Sequence, residues 1–401
     1  MRSKSFFKMA IVLGLLSAIG PFAIDMYLPA LPSIGSSLQA DIGAVQMSLT
    51  SFFLALGAGQ LLYGPLSDMF GRKSPLYAGL LLFALASVGC ALVNDIHTLV
   101  LLRFIQGLGA AAGMAIPRAV VRDLHTGTDA ARLMSLLMLV FSVSPILAPL
   151  VGSAVITFAG WRGVFWAVTF AAIIGLIMMA KLLNETRPKS DRSKSSLTSA
   201  LSAYKLLLLD RHFLLLVFIG SFSMAGFFTY LANSSFVMIS HYGLSPTVYS
   251  ISFGINAASF IASAQFTATL GKRFGMVKLV KGAVIGCAMA TLTMFAYFAA
   301  GGDNIWMLIL LYFVASAFMG LIIPTTSVLA LDQHGENAGT ASALMGTLQM
   351  LTGAAMVAVV GIFTNGRPLP MVSGMAVGAV IALLLATRDL TPKYNTEQNV
   401  K

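Results

Sequence analysis

Twelve apolar stretches, each 19 to 29 residues long, constrain what this chain can fold into. They lie at residues 8–29, 45–66, 75–93, 98–117, 133–158, 163–183, 212–240, 247–270, 279–300, 305–330, 338–363 and 369–387. A helix needs about 20 apolar residues to cross a bilayer, and it satisfies its own backbone hydrogen bonds there. The sequence therefore predicts an all-α membrane protein with twelve transmembrane helices.

The composition argues against a soluble domain and against a nucleic-acid-binding protein. Hydrophobic residues make up 58% of the chain and charged residues 10%, whereas a soluble domain holds about 25% charged residues. The net charge of +11 suits basic loops rather than nucleic-acid binding, because no basic stripe carries interleaved aromatic residues. Cys90 and Cys287 fall inside apolar stretches and are expected to be buried thiols. We therefore expect no metal, no cofactor, no nucleic-acid partner and no enzymatic activity.

One long connection, Asn184–Arg211, divides the stretches into two sets of six. Residues 1–183 and 212–387 are thus predicted to form two pseudo-symmetric six-helix bundles, with 184–211 as a linker and 388–401 as a tail. The first stretch has no A-x-A cleavage site and is expected to stay as a helix. A faint repeat, Phe70-Gly-Arg and Phe274-Gly-Met at an offset of 204 residues, fits parallel six-helix repeats.

Orientation follows from the basic residues of the loops, because cytoplasmic loops carry excess Lys and Arg. If the N-terminus is cytoplasmic, 22 of the 25 Lys and Arg residues fall on cytoplasmic segments. The outer loops then hold only Arg162 and Arg367. The sequence predicts that both termini are cytoplasmic.

Asp25 and Arg103 are the two charged residues that lie well inside apolar stretches. A charge at the bilayer centre costs roughly 3 kcal/mol on insertion scales, so such residues are usually functional. Asp25 lies about 26 Å of helix rise beyond Lys8, and Arg103 lies about 22 Å before Arg118, at 1.5 Å per residue. The two charges are therefore predicted to reach similar depths.

Three interpretations of this pair stay open. Desolvation disfavours an ionised carboxyl group and a nearby guanidinium favours it, so an aspartate between these effects can bind and release a proton. Arg103 does not lose its own proton, so Asp25 is the predicted carrier and Arg103 its modulator. The alternatives are a permanent salt bridge between two helices and a shallow, hydrated Asp25.

The segment Gly64-Pro-Leu-Ser-Asp-Met-Phe-Gly-Arg-Lys73 is the most specific motif. Its glycines are expected to permit a tight turn. It resembles the G-x-L-x-D-x-x-G-R-K signature of the major facilitator superfamily, between helices 2 and 3. The motif residues taken as a cytoplasmic gate are Gly64, Asp68, Gly71, Arg72 and Lys73.

This resemblance implies a latch that closes the cytoplasmic side. Asp68 is then expected to face the start of helix 11, near Asn337–Gly339, and Arg72 to meet an acid at the end of helix 4, where Asp123 is available. A carboxylate at a helix N-terminus gains roughly 0.3–1 kcal/mol. The alternative is that Arg72 and Lys73 serve only to orient the chain.

Further motifs resemble drug:proton antiporters of this superfamily. They are Asp25-Met-Tyr-Leu-Pro-Ala-Leu-Pro32 in helix 1, Arg103-Phe-Ile-Gln-Gly-Leu-Gly109 in helix 4 and Ser144-Pro-Ile-Leu-Ala-Pro-Leu-Val-Gly-Ser153 in helix 5. In helix 5, Pro145, Pro149 and Gly152 match the antiporter pattern, while Ala148 and Ser153 replace glycines. Trp161-Arg-Gly-Val-Phe165 and Ala338-Gly-Thr-Ala-Ser-Ala-Leu344 resemble the Bcr/CflA subfamily of drug efflux proteins.

Polar residues inside the membrane are candidates for a substrate cavity. They are Tyr27, Gln106, Tyr230, Asn256, Gln265 and Gln349. Each has an alternative role as a helix–helix hydrogen bond. The 22 methionines and 27 phenylalanines suit an adaptable apolar pocket.

The resemblance implies a monomeric, multi-pass protein of the bacterial inner membrane, surrounded by lipid, that exports amphipathic drugs in exchange for protons. Alternatives within the class are a proton-coupled exporter or importer of a small metabolite or peptide. An integral-membrane enzyme or receptor is the alternative of another class. An enzyme would show several polar catalytic groups at one depth, and a receptor more often carries a soluble domain.

Overall fold

The computed structural model describes residues 2–125, 127–192, 197–334 and 338–390, and these residues are helical almost throughout. The first half contains α1 (Arg2–Asp25), a 3-10 turn (Leu28–Ala30), α2 (Leu31–Leu38), α3 (Ile42–Phe70), α4 (Lys73–Leu92), α5 (Ile96–Leu124) and α6 (Gly127–Leu182). The connection carries α7 (Lys189–Arg192) and α8 (Leu197–Leu209). The second half contains α9 (Arg211–Ser235), a π-helical turn (Phe236–His241), α10 (Pro246–Gln265), α11 (Thr267–Phe274), α12 (Met276–Ala299), α13 (Ile305–Leu331), α14 (Ala338–Phe363) and α15 (Pro368–Ala386).

Ten helical segments of the described chain are long and apolar enough to cross a membrane. One of them, Arg132–Leu182, is 51 residues long, about twice what a bilayer requires. Gly160 interrupts it with φ 64° and ψ −176°, a backbone conformation that glycine adopts at low cost. The break lies between the fifth and sixth predicted stretches.

Polar side chains fix where many helices begin. Asp41 accepts from Ala44 N at 2.7 Å before α3, and Asp95 accepts from Thr98 N at 2.8 Å before α5. Asp210 accepts from the backbone amides of His212 and Phe213 in the first turn of α9. These N-caps satisfy amides that have no partner inside the helix.

The two halves pack along two seams. In one seam α3 lies against α14, and in the other α6 lies against α10. We call the end of the bundle where α3 ends and α4 begins the basic face, because Arg72, Lys73 and Arg122 lie there. The opposite end is the far face.

The linker was predicted as a connection, but it contains the helix α8. Its Ala- and Leu-rich sequence favours a helix, and Leu207 is fully buried. Tyr204 donates a hydrogen bond to the carbonyl of Leu61 at 3.3 Å. The helix contacts α3 of the first half and α9 and α14 of the second, so it bridges the two halves at the basic face.

Candidate functional site

A cavity of about 330 Å³ lies between the two halves. Asp25, at the end of α1, lines it midway through the bundle. Met114, Met138 and Gln265, which lie toward the basic face, line its other end. The walls are mostly aromatic and aliphatic, as expected for a site that binds apolar molecules.

The far-face end of the cavity is sealed by hydrogen bonds between the halves. Gln46 of α3 donates to Asn233 Oδ1 of α9 at 2.8 Å. Within the second half, Thr364 donates to the same oxygen at 3.1 Å. Ser250 of α10 donates to the carbonyl of Pro149 in α6 at 2.9 Å. Nearer the middle of α3 and α14, level with the lining residues Leu56 and Met350, Thr347 donates to the carbonyl of Gly57 at 2.8 Å and closes the seam beside the cavity. The cavity therefore lies on the basic-face side of a closed seal.

Asp25 is the only charged residue among the described residues that line the cavity. Its side chain is 5% exposed, and Ser144 Oγ of α6 donates to its Oδ2 at 3.5 Å. Asp25 is also the last residue of α1. The chain continues through the 3-10 turn into α2, and the amides of Met26 and Tyr27 bond to the carbonyls of Phe22 and Ile24. No cationic side chain among the described lining residues faces Asp25.

Arg103 lies behind the cavity wall in a cage of aromatic rings. It is fully buried, and its guanidinium carbon lies 4.4 Å from the Tyr27 ring centroid and 4.2 Å from that of Phe52. Nη1 donates to Gln106 Oε1 at 2.6 Å and to the carbonyl of Ala23 at 3.4 Å. Its Nε and Nη2 have no hydrogen-bond partner.

The expected contact between Asp25 and Arg103 is absent. No ion pair joins the two side chains within the described parts of the chain, and the permanent salt bridge between α1 and α5 gains no support. Helix rise places both residues at similar depth, but it does not set their direction around the helix. Arg103 reaches the backbone of α1 two residues before Asp25 and points away from the cavity.

Three of the predicted cavity residues lie in the wall: Tyr230, Asn256 and Gln265. The other three do not line it. Tyr27 bonds to Ser48 at 2.7 Å, and Gln106 donates to Ser87 at 2.7 Å. Gln349 lies beside Gly220 on another side of α14. For Tyr27 and Gln106 the helix–helix hydrogen bond, left open as the alternative, is what the structure contains.

The helix 5 motif contacts both the cavity and the seal. Pro145 lines the cavity, and the carbonyl of Pro149 accepts the bond from Ser250. A side chain at Gly152 would collide with the carbonyl of Met26, so glycine here allows α6 to approach the turn that follows Asp25 closely.

At the basic face, Arg72 joins the end of α3 to the end of α5. Its guanidinium, only 4% exposed, bonds to Asp123 Oδ2 at 2.7 Å and to Asp68 Oδ1 at 2.7 Å. The contact between Arg72 and Asp123 is the one that the family resemblance implied. Gly64 lies inside α3 with no atom near its missing side chain, so it forms no turn; Gly71, with φ 87°, makes it.

The start of α14 only partly falls within the described chain. Asn337, an expected partner of Asp68, lies outside the described residues. A side chain on Gly339 would lie 3.0 Å from Arg122 Nη1, so Arg122 approaches this helix start. Within the described part of the chain, the ionic partners of Asp68 are Arg72 and, at 3.7 Å, Arg187 of the linker.

Sequence reasoning missed Glu185, which caps α4 from the linker. Its carboxylate accepts from Arg72 N at 2.8 Å and from Lys73 N at 3.2 Å. Partial burial alone would raise the pKa of Glu185, but the amides of Arg187, Arg72 and Lys73 outweigh it and hold the pKa below its usual value. A side chain at Gly71 would collide with this carboxylate. The only sequence signal was an acid among basic residues after the sixth stretch.

The chain is similar to known proteins in both sequence and fold. The profile of the Major Facilitator Superfamily matches residues 13–358. The chain is 37% identical over 94% of its length to an uncharacterized MFS-type transporter, YdgK, of Bacillus subtilis, covering 94% of that protein. It is 28% identical to a bicyclomycin resistance protein homolog of Haemophilus influenzae, covering 97% of this chain and 98% of that one. It is 32% identical to multidrug resistance protein D of Escherichia coli, covering 84% of each chain.

Solved structures agree on the fold. A D-xylose-proton symporter superposes with a TM-score of 0.74 at 17% identity, covering 96% of this chain and 98% of that chain. Identity at this level supports the fold alone. The predictions of an all-helical fold of this kind and of a multi-pass protein of the bacterial inner membrane are confirmed.

Proposed function

Because the chain belongs to the major facilitator superfamily, we propose that it exports amphipathic drugs from the cytoplasm in exchange for protons. The printed names of two similar proteins, a bicyclomycin resistance protein homolog and multidrug resistance protein D, support drugs as the cargo. The observation that carries the proposal is Asp25, the single charged residue among the described cavity residues.

The proposed topology has twelve crossings with both chain ends in the cytoplasm. The ten apolar segments become eleven when Arg132–Leu182 is divided at Gly160. The twelfth is α10, which is 20 residues long. Its polar residues Ser250, Ser252, Asn256 and Ser259 are buried against protein, so its lower apolar content does not oppose a crossing. The basic face is then cytoplasmic.

In this topology the described state faces inward, with its cavity on the cytoplasmic side of the far-face seal. We propose that Asp25 releases its proton in this state and binds drug in the cavity. After the halves rock around the cavity, Asp25 takes a proton from outside and drug leaves. Each 100 mV of membrane potential supplies about 2.3 kcal/mol per charge moved.

We propose that the two unpartnered nitrogens of Arg103 receive the Asp25 carboxylate when Asp25 gives up its proton on the cytoplasmic side. The hydrogen bond from Arg103 to the Ala23 carbonyl, at 3.4 Å, places the guanidinium next to the end of α1. A shift of that end would bring the two charges together, favour the ionised carboxyl group and assist proton release.

Uptake into everted membrane vesicles tests the function. With an acidic interior, vesicles that contain the protein should accumulate chloramphenicol and tetraphenylphosphonium against a gradient. Dissipating the pH gradient should stop the uptake of both compounds. Export of either compound from such vesicles, or uptake that ignores the pH gradient, would contradict proton exchange.

The charged motif at the basic face is proposed as the latch of the outward-facing state. We expect Asp68→Asn to weaken the proposed interaction of Asp68 with the start of α14 and so to loosen closure of the basic face. The protein should then be biased inward, and transport should fall while drug binding persists. A ligand or a mutation shifts such a balance only through its preference between the states. Labelling of a cysteine placed at Met138, with Cys90 and Cys287 replaced, should therefore increase.

Asp129→Asn is the matched control, because Asp129 is an exposed acid at the start of α6 on the same face. It should leave labelling and transport unchanged. Unchanged labelling in Asp68→Asn together with lost drug binding would place Asp68 in folding or in the substrate path, and the latch would be abandoned.

A further inference from the structure

Among the described residues, two polar atoms at the cavity wall lack a hydrogen-bond partner. They are the amide oxygen of Asn256 on α10 and the hydroxyl of Tyr312 on α13. Asn256 is 2% exposed and Tyr312 is 1% exposed. Buried polar atoms in folded proteins are nearly always bonded. Two unpartnered atoms beside a binding cavity therefore indicate where a ligand supplies the missing partners.

The surrounding contacts hold both side chains in place. Asn256 Nδ2 donates to the Tyr230 hydroxyl at 3.1 Å, and the Tyr230 ring stacks on the Tyr312 ring with centroids 3.7 Å apart. Ser316, one turn after Tyr312, donates to the carbonyl of Asn256 at 3.2 Å. In the second half, α10 thus presents an acceptor on Asn256 and α13 a donor on Tyr312. Tyr230 of α9 contacts both side chains.

We infer that Asn256 and Tyr312 form a subsite for a neutral substrate group that both donates and accepts hydrogen bonds, such as an amide. Asn256 Oδ1 would accept from the amide N–H, and the Tyr312 hydroxyl would donate to the amide carbonyl. This inference rests on the proposed drug transport and adds a substrate class to it. Asp25 lies on the first half of the cavity and would take cations instead.

Reaching the subsite requires a small movement. Both residues line the cavity, but the two polar atoms are covered in this state. A ligand therefore reaches them after neighbouring side chains of the wall shift. Apolar residues around them, including Phe227, Phe253 and Phe260, would pack against the rest of an amphipathic molecule.

Two probe molecules distinguish binding at the Asn256–Tyr312 subsite from binding at Asp25. Chloramphenicol is neutral and carries a secondary amide, whereas tetraphenylphosphonium is a cation without hydrogen-bonding groups. We expect Tyr312→Phe in the purified full chain to weaken chloramphenicol binding about tenfold, since a lost hydrogen bond to a buried group can cost that much. Tetraphenylphosphonium binding should be unchanged. Thermal stability should also hold, because the removed hydroxyl has no partner in the protein.

Asn256→Ala should also weaken chloramphenicol binding and leave tetraphenylphosphonium binding unchanged. Asp25→Asn should have the opposite effect, so that tetraphenylphosphonium binding is lost and chloramphenicol binding is kept. Tyr249→Phe is the matched control. Tyr249 is equally buried, but its hydroxyl bonds to Ser234 at 3.1 Å and it is not among the lining residues. Removing the Tyr249 hydroxyl should leave the affinity for chloramphenicol unchanged.

Several results would overturn the subsite. They are wild-type affinity for chloramphenicol in Tyr312→Phe, an equal loss for both probes, and a wild-type protein that binds tetraphenylphosphonium but not chloramphenicol. A wild-type protein that binds neither probe and transports neither would overturn the proposed drug transport, and the subsite with it.

Discussion

Asp25→Asn is expected to abolish proton-coupled drug exchange, because an amide neither binds nor releases a proton in this range. Asn keeps the size of the protonated side chain, and a neutral residue is easier to place in a membrane than a charge. The protein should therefore be made and folded normally. In proteoliposomes loaded with a pH-sensitive dye, addition of chloramphenicol should move protons with the wild-type protein and not with Asp25→Asn.

Binding provides the control for that experiment. Chloramphenicol is expected to bind purified Asp25→Asn with wild-type affinity, since the variant imitates the protonated state and the neutral subsite lies on the other half. Wild-type rates of proton-coupled exchange in the reconstituted variant would show that another group carries the proton.

Arg103→Lys is expected to reduce transport severely although it keeps the formal charge. The planar guanidinium lies against the Tyr27 and Phe52 rings and bonds to Gln106. A lysine lacks this shape and loses its proton more readily when buried. We expect at least a tenfold loss of transport, equivalent to about 1.4 kcal/mol, with drug binding less affected.

Arg118→Lys is the matched control for this prediction. Arg118 lies on the same helix, and its guanidinium contacts a single ring, that of Phe141, at 5.4 Å. Lysine should be tolerated there. If Arg103→Lys transports like the wild-type protein, Arg103 contributes charge alone and its geometry has no role in the cycle.

The sequence predicted the features that depend on local chemistry. The lengths of the apolar stretches predicted the helical spans. Two of these stretches, the fifth and the sixth, form the parts of α6 on either side of Gly160. The Arg72 contact with Asp123 is present as the resemblance of its motif to the major facilitator superfamily implied, and local chemistry alone did not predict it. Asp25 followed from the cost of a charge in an apolar span, and it lies in the cavity wall.

What the sequence did not predict depends on the direction of side chains around helices. Equal depth suggested that Asp25 and Arg103 meet, but Arg103 turns into an aromatic cage. Tyr27 and Gln106 have the polarity of cavity residues, and they bond within the first half instead. Glu185 is far from α4 in sequence, so no local pattern indicated that it caps that helix.

The central claim is that Asp25 carries the exchanged proton and that a cationic drug displaces it. The most direct test adds tetraphenylphosphonium to the purified protein in weakly buffered detergent solution near neutral pH and records proton release with an indicator dye. We predict that the wild-type protein releases protons in proportion to bound cation and that Asp25→Asn releases none. Equal release from both proteins, or cation binding by the wild-type protein without any release, would contradict the claim.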